Sequence, residues 1–197
     1  GVTGLLAAAL GRKRDEAIDD LLALHFGVRV DKEGELLHDY HTVQMKSGKT
    51  YVTHRYYLSD ATFLVGFESE DEKMLKTLEQ ALYNPAFPLF LGRRSCVPTL
   101  PLVVGVRTLG LIEALRSEPW QLSPWMQKKE IKKGHGLLRI LTDAAPDEKN
   151  IVAVKDFPIS FHPESRKYTY RPVKEQLPVM MDSLLPEETR HDVMAEL

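Results

Sequence analysis

The sequence has little of what disulfide-bonded, zinc-binding and membrane-spanning proteins need. Its 197 residues contain one cysteine, Cys96, so neither an internal disulfide nor a multi-cysteine zinc site can form. Its longest apolar runs, residues 1–11 and 100–106, are too short to span a bilayer. These absences favour a reducing compartment, and we expect a cytoplasmic protein that does not enter the membrane.

Biased composition is also absent. Hydrophobic residues make up 43% of the chain and charged residues 27%, which are ordinary values for a folded globular protein. The length is enough for one domain or two small ones. Because the first residue is Gly rather than Met and an apolar helical pattern follows at once, we expect a further segment upstream.

The formal net charge of −2 hides a segregated distribution. Residues 40–59 contain basic but no acidic side chains, and so do residues 80–112. A phosphate responds to charge within about 8 Å, the physiological Debye length, so these segments could form a cationic surface on a nearly neutral protein. Solvated basic loops without a ligand would give the same counts.

Apolar spacing predicts a mixed α+β fold. Helical spacing covers residues 5–10, 17–25 after a possible Asp15 cap, 74–82 and 112–115, and a terminal helix is predicted after Pro186. Alternating or β-rich segments predict strands at 28–30, 61–67, 102–106, 137–141, 151–154 and 168–173, and a long β-hairpin at 36–58. The order helix, strand, strand, helix, strand matches a ferredoxin-like βαββαβ unit whose first strand lies before residue 1.

The hairpin predicts a specific pairing. If Ser47 and Gly48 are the centre of its turn, the numbers of paired residues sum to 95. That register sets His41 opposite His54, Thr42 opposite Thr53, Tyr40 opposite Arg55 and Lys46 opposite Lys49.

Two opposed histidines permit a catalytic interpretation. His41 and His54 could act as the general acid and base of metal-independent RNA cleavage, since histidine titrates near neutrality. An ordinary cross-strand pair is the more common reason for two such histidines, because the sequence shows no third group to orient them, and two histidines are too few to predict a metal site.

Two further features suit nucleic acid. Tyrosines along the hairpin (Tyr40, Tyr51, Tyr56 and Tyr57) are interleaved with cations and could stack on bases, although normal strand composition would also supply them. Gly92-Arg93-Arg94-Ser95 joins two guanidiniums to a flexible backbone that could approach phosphate, although such a loop could equally pair with acidic neighbours.

Four segments, in this order and spacing, carry a resemblance to a known family: GVTGLLAAALG at 1–11, DYHTVQ at 39–44, RYYLSDATF at 55–63 and PLFLGRRSCVP at 88–98. Together they resemble the CasD subunits of type I-E CRISPR Cascade complexes. The resemblance implies a RAMP protein with an RRM-like, ferredoxin-like core at 1–107, a thumb hairpin at 36–58 and a reduced β-rich C-terminal part at 108–197.

The resemblance also implies a function and partners. The expected ligand is the 5′ handle of the guide RNA (crRNA). The expected protein partners are the backbone subunit CasC and the large subunit CasA, target DNA is met only through the complex, and no metal or cofactor is implied. The implied RNA-binding residues are Tyr40, His41, Thr42, Val43, Gln44, Lys46, Lys49, Thr53, Arg55, Gly92, Arg93, Arg94 and Ser95.

The expected role is binding without catalysis, because a separate subunit cuts the precursor RNA in type I-E systems. Two alternatives remain open at this point. One is an endoribonuclease that uses His41 and His54 on CRISPR repeat RNA. The other is an assembly scaffold whose contacts are mainly with protein.

Overall fold

A computed structural model describes residues 1–162 and 164–181, and these form helices and strands in mixed order. The helices are α1 (Val2–Ala9), α2 (Asp19–Leu22), α3 (Glu72–Tyr83), α4 (Leu111–Ser117) and α5 (Pro124–Lys132). The strands are β1 (His25–Lys32), β2 (Glu35–Gln44), β3 (Thr50–Ser59), β4 (Thr62–Glu68), β5 (Leu137–Asp143), β6 (Ile151–Ser160) and β7 (Lys167–Met180). In this described part, no helix is both long and apolar enough to cross a membrane. The helix predicted after Pro186 lies outside the described residues.

The strands form two sheets. One has five strands in the order β4-β1-β5-β7-β6, and the other contains only β2 and β3. The pairs β1–β5, β2–β3 and β6–β7 are antiparallel. The predicted α+β class is confirmed, as is the long hairpin.

Most predicted elements are present, and α3 shows why its pattern was readable. The Asp71 side chain caps this helix by accepting hydrogen bonds from the backbone N–H groups of Lys73 and Met74, at 2.9 and 3.2 Å. Leu78 is buried on one face, and the helix ends at Asn84, before Pro85. A side-chain cap, an apolar stripe and a following proline are all visible in sequence.

Two local predictions are wrong, and one helix was not predicted. Residues 102–106 form no strand. Val104 and Val106 are exposed rather than buried in a sheet, and Gly105 has a φ of +121°, outside the extended region that a strand needs. The predicted helix at 17–25 shrinks to α2, with Ile18 rather than Asp15 at its N-cap, and His25 begins β1 instead. Helix α5 was missed because Pro124 is a helix breaker in most positions, yet here it occupies the first turn, where its missing N–H costs nothing.

The chain divides into two compact units, each assembled from separate segments. Among the described residues, the first comprises 1–29, 64–117 and 140–176, and the second comprises 30–63, 118–139 and 177–181. Both units contain segments from before and after residue 107, so they do not test the predicted boundary at that residue, which stays a prediction.

The first unit has an apolar core made by its helices. Side chains from α1, α2 and α3 pack together, and the buried members are Leu6, Ala7, Ile18, Leu21, Leu24 and Leu78. Phe67 and Phe161 pack against this cluster.

The second unit has its own core around Trp120, which packs with Leu122, Leu138 and Met181. The Trp120 indole Nε1–H donates to the backbone oxygen of Asp31 at 2.8 Å, and the buried Asp31 carboxylate accepts the N–H of Gln121 at 2.7 Å. These bonds satisfy the polar atoms that the core encloses.

Candidate nucleic-acid interface

The hairpin of β2 and β3, called the arm below, projects from the second unit without contributing to its core. Both strands have ten residues, and all ten are paired in one continuous register. At about 3.4 Å per residue the arm is roughly 30 Å long. No residue from 35 to 59 is among the buried side chains of the described part. The arm is therefore available for a ligand along its length.

The turn at the tip contains one residue more than the predicted register assumed. The Met45 N–H donates to the Lys49 oxygen, and the Gly48 N–H donates to the Met45 oxygen, both at 2.9 Å. Gly48 has a φ of +79°, the left-handed conformation that glycine adopts without strain. Lys46, Ser47 and Gly48 thus form a three-residue loop, the type I turn followed by a left-handed residue.

That extra residue shifts every pair by one. Paired residues sum to 94, so His54 lies opposite Tyr40 and His41 lies opposite Thr53. Asp39 is opposite Arg55, Thr42 is opposite Val52, and Met45 rather than Lys46 bonds with Lys49. The pairings predicted from a sum of 95 are all wrong. Because side chains alternate along a strand, the shift also places His41 and His54 on opposite faces of the arm.

The two faces of the arm differ in charge. The histidine face has no formally charged residue and consists of Leu36, His38, Tyr40, Thr42, Gln44, Thr50, Val52, His54, Tyr56 and Leu58. The arginine face consists of Glu35, Leu37, Asp39, His41, Val43, Tyr51, Thr53, Arg55, Tyr57 and Ser59. The resemblance-derived RNA residues of the arm are distributed over both faces, with Lys46 in the turn and Lys49 just after it.

The histidine face carries a group of rings that sequence reasoning missed. His38 Nε2 lies 2.9 Å from His54 Nδ1, and the two rings are nearly parallel with centroids 5.0 Å apart. The Tyr56 ring stacks on His38 with centroids 4.7 Å apart, and Tyr40 meets the His54 ring edge-on at 5.5 Å. Only the correct register reveals that His38, and not His41, is the neighbour of His54.

This geometry does not suit acid–base cleavage of RNA. A general base and a general acid must flank the reacting phosphate, whereas the facing nitrogens of His38 and His54 are 2.9 Å apart and bonded to each other. His41 lies on the other face, where its backbone oxygen accepts a hydrogen bond from Thr53 Oγ1 at 3.2 Å. The structure thus contradicts the arrangement on which the His41/His54 hypothesis depends.

The second predicted RNA segment is a compact loop in the first unit. The Leu91 N–H donates to the Cys96 oxygen at 2.8 Å, the Arg93 N–H to the Leu91 oxygen at 2.9 Å, and the Cys96 N–H to the Arg93 oxygen at 2.9 Å. Gly92 has a φ of +77° and open space where a Cβ would lie. These hydrogen bonds close the loop and use the N–H groups of Arg93 and Cys96 within it. The exposed residues of the loop include Gly92, Arg93, Arg94 and Ser95.

The described residues offer no evident metal centre. Across residues 1–162 and 164–181, no group of three or more His, Cys, Asp and Glu side chains could hold an ion. The arm and the loop at 92–95 instead offer aromatic rings, guanidiniums, amines and backbone groups, which are the groups that contact bases and phosphates in protein–RNA interfaces.

Comparison with known proteins places this geometry in a family. A family profile described as CRISPR-associated protein (Cas_Cas5) matches residues 1–174. The CRISPR system Cascade subunit CasD of Escherichia coli (strain K12) is 37% identical over 127 residues, which are 53% of this chain and 56% of that protein. The match thus spans little more than half of the length of this curated relative.

Two solved structures resemble the whole described architecture. One, described as the crystal structure of a Cas protein, is 39% identical with a TM-score of 0.69, over 95% of this chain and 83% of its own. A chain of a CRISPR RNA-guided surveillance complex is 27% identical with a TM-score of 0.73, over 96% of this chain and 82% of its own. With a family profile that covers residues 1–174, this chain belongs to the Cas5 family of CRISPR-associated proteins.

Proposed function

We propose that this chain is a guide-RNA-binding subunit of a type I-E Cascade complex and that it holds the 5′ handle of the crRNA without cutting it. The observation that carries the proposal is the arm, a paired hairpin roughly 30 Å long in which no side chain is buried. A folded chain has no stability reason to extend such a hairpin, whereas a hairpin that closes over a strand of RNA needs this length. The likeness to a chain of an RNA-guided surveillance complex supports the same function.

The distal part of the arginine face suits single-stranded RNA. It carries His41 and Tyr51, with Lys46 and Lys49 at the tip, whereas nearer the base Arg55 lies opposite Asp39 and Glu35 adds a second acid. Cations there can meet phosphates while rings stack on unpaired bases, the usual way in which proteins hold single-stranded RNA. Arg93 and Arg94 on the exposed loop add two guanidiniums that can bond phosphate oxygens in a forked geometry.

The proposed partners follow from family membership. CasC and CasA would be the neighbouring subunits, target DNA would be met through the assembled complex, and the location would be cytoplasmic. The residues proposed for RNA binding remain Tyr40, His41, Thr42, Val43, Gln44, Lys46, Lys49, Thr53, Arg55, Gly92, Arg93, Arg94 and Ser95. Catalysis is left out of the proposal because His38 and His54 bond to each other and His41 lies on the opposite face of the arm.

The test incubates the protein in EDTA with a labelled precursor RNA that contains the CRISPR repeat. Bound and cleaved RNA are resolved in the same experiment. We expect the handle sequence to be retained intact and a scrambled RNA of equal length to bind more weakly. Defined cleavage that His54→Ala abolishes would replace the proposal with a processing endoribonuclease. Equal binding of both RNAs would remove the handle as the specific ligand, and binding of neither RNA would favour a scaffold role.

The loop is tested by the double variant Arg93→Ala with Arg94→Ala. Losing two phosphate contacts should weaken handle binding and reduce the slope of log affinity against log salt by about 1.4, at roughly 0.7 per phosphate for single strands. Lys73→Ala with Lys76→Ala removes the same charge from α3 and should leave the slope unchanged. An unchanged affinity and slope in the arginine variant would show that the loop is not a phosphate site.

A further inference from the structure

A bulge in the hairpin of β6 and β7 arranges aromatic and basic side chains that the proposed handle site does not use. Val154 pairs with Arg171 and Phe157 pairs with Thr169, so Lys155 and Asp156 together oppose the single residue Tyr170. Two residues against one is the definition of a β-bulge, which redirects the side chains of the bulged strand.

The bulge sends its two charges to different places. Asp156 reaches Arg171, whose Nε and Nη2 donate to its carboxylate oxygens at 2.9 and 2.7 Å. Lys155 instead extends its Nζ over the Tyr170 ring, 5.8 Å from the centroid. The acidic neighbour is thereby neutralised by an ion pair, while the lysine amine is presented beside an aromatic face.

Tyr168 and Tyr170 lie on the same face of β7, because residues two apart on a strand share a face. Tyr170 is 62% exposed and Tyr168 is 39% exposed, so both rings are accessible to a ligand. The Tyr168 ring also contacts Phe161 edge-on at 6.5 Å, and Phe161 packs against the core of the first unit. That contact holds one ring in place on an otherwise open surface.

Further positive charge lies at the start of the same strand. Arg166 lies two residues before Tyr168 and is exposed, as is Lys167, which lies on the opposite face of β7 from the two rings. Lys155 and Arg166 give two cations near the rings; of the acids nearest in sequence, Asp156 is paired with Arg171 and Glu164 is the other. We call Lys155, Arg166, Tyr168 and Tyr170 the β7 platform; all of its residues belong to the first unit.

We propose that the β7 platform binds single-stranded nucleic acid, as a contact separate from the arm and from the loop at 92–95. Rings two residues apart are about 6.6–7 Å from each other along the strand, too far for two stacked bases and suited to two splayed ones. Cations beside the rings favour a polyanion over an apolar protein partner. A duplex keeps its base faces stacked inside, so only a single strand offers them to the tyrosines.

The test measures the affinity of the full chain for fluorescein-labelled rU10 and dT10, neither of which contains a CRISPR repeat. Tyr168→Ala with Tyr170→Ala should weaken binding by about tenfold or more, since stacking on one ring is commonly worth that factor. Tyr170→Phe keeps the ring and should stay within twofold of the parent. Tyr83→Ala, which removes another exposed tyrosine on α3, is the matched control and should change nothing.

The two probes identify the source of the strand. If the double tyrosine variant loses affinity for rU10 alone, the platform binds RNA. If it loses affinity equally for dT10, the platform binds single strands of either kind. Either outcome supports the proposal. Lys155→Gln should weaken binding and lower its salt dependence even if the double tyrosine variant fails to fold. The proposal is wrong if the parent binds neither probe, or if folded tyrosine variants bind both as the parent does. Handle RNA measured in parallel separates this result from the proposed function.

Discussion

Glu130 shows how one residue fixes a connection in the second unit. Its side chain is buried at the end of α5, where Oε2 lies 2.8 Å from His135 Nδ1 and Oε1 lies 3.1 Å from Lys133 Nζ. Its backbone oxygen also accepts the N–H groups of Lys133 and His135, at 3.0 and 2.9 Å. One residue thus closes the turn that leads into β5. The hydrogen bond from His135, with a smaller one from Lys133, lowers the pKa of Glu130 below its ordinary value of 4.5.

We predict that Glu130→Gln lowers the melting temperature at pH 7 by about 2–5 °C, a typical shift for a modest loss of stability in a chain of this size. Because the pKa of the folded carboxyl is depressed, its stabilisation is complete above the unfolded pKa and is lost as pH falls through the folded one. The difference between variant and parent should therefore shrink as the pH is lowered below about 4.5.

Thermal melts followed by circular dichroism from pH 7 to pH 3 give this measurement. Glu72→Gln is the control, since the Glu72 carboxylate also has a lowered pKa beside Lys76 but lies on the surface. Exposed pairs contribute little to stability, so that variant should follow the parent at every pH. A constant deficit of the Glu130 variant across the range would show that shape, rather than charge, matters at this position.

At the scale of elements, the register of the arm determines which side chains lie together on each of its faces. A three-residue loop sets the sum of paired residues at 94, and this sum decides which side chains share a face. The ring group of His38, His54 and Tyr56 exists only in that register, as does the segregation of formal charge onto the arginine face.

Paired cysteines in a Cys96→Ser background test the register. Thr42→Cys with Val52→Cys places two thiols directly opposite each other, at a separation that a disulfide can bridge. Thr42→Cys with Thr53→Cys places them on opposite faces. We expect mild oxidation to form a disulfide in the first variant alone, seen by mass spectrometry as the loss of two hydrogens. Cross-linking of the second variant instead would show that paired residues sum to 95, as the sequence predicted.

The sequence near the turn was enough to predict the arm but not its register. The arm was recognisable because two β-rich segments flank Lys46-Ser47-Gly48-Lys49, a pattern that few other structures produce. Its register was not, because Gly48 can adopt its positive φ both in a two-residue turn with Ser47 and in a three-residue loop that also contains Lys46, so the residue types do not decide between the two loops. The candidate histidine pair was consequently assigned to His41 instead of His38.

Long-range effects limited the rest of the prediction. The bulge that brings Lys155 to Tyr170 depends on how β6 is aligned with β7, and nothing local to either residue signals it. Residues 102–106 have the composition of a strand without its pairing, so their apolar run was misleading. The family resemblance, by contrast, rests on four segments in order, and the family profile over residues 1–174 confirms it.

At the scale of the whole molecule, the buried cores and the proposed ligand site occupy different residues. The buried side chains of the described part come from residues 5–31 and 64–181, and the arm supplies none of them. The apolar clusters of both units likewise contain no residue from 35 to 59. Shortening the arm should consequently remove ligand contacts without opening either core.

We predict that replacing residues 40–54 by Asn-Gly, so that a tight turn joins the paired residues Asp39 and Arg55, leaves the melting temperature within about 3 °C of the parent. The same variant should lose most of its affinity for handle RNA, because the rings and cations of the distal arm are gone while the loop at 92–95 remains. Melting followed by circular dichroism and filter binding to the handle RNA measure the two effects separately. Unfolding of the shortened chain would mean that the arm stabilises the second unit, and unchanged RNA affinity in a folded variant would remove the arm from the binding site.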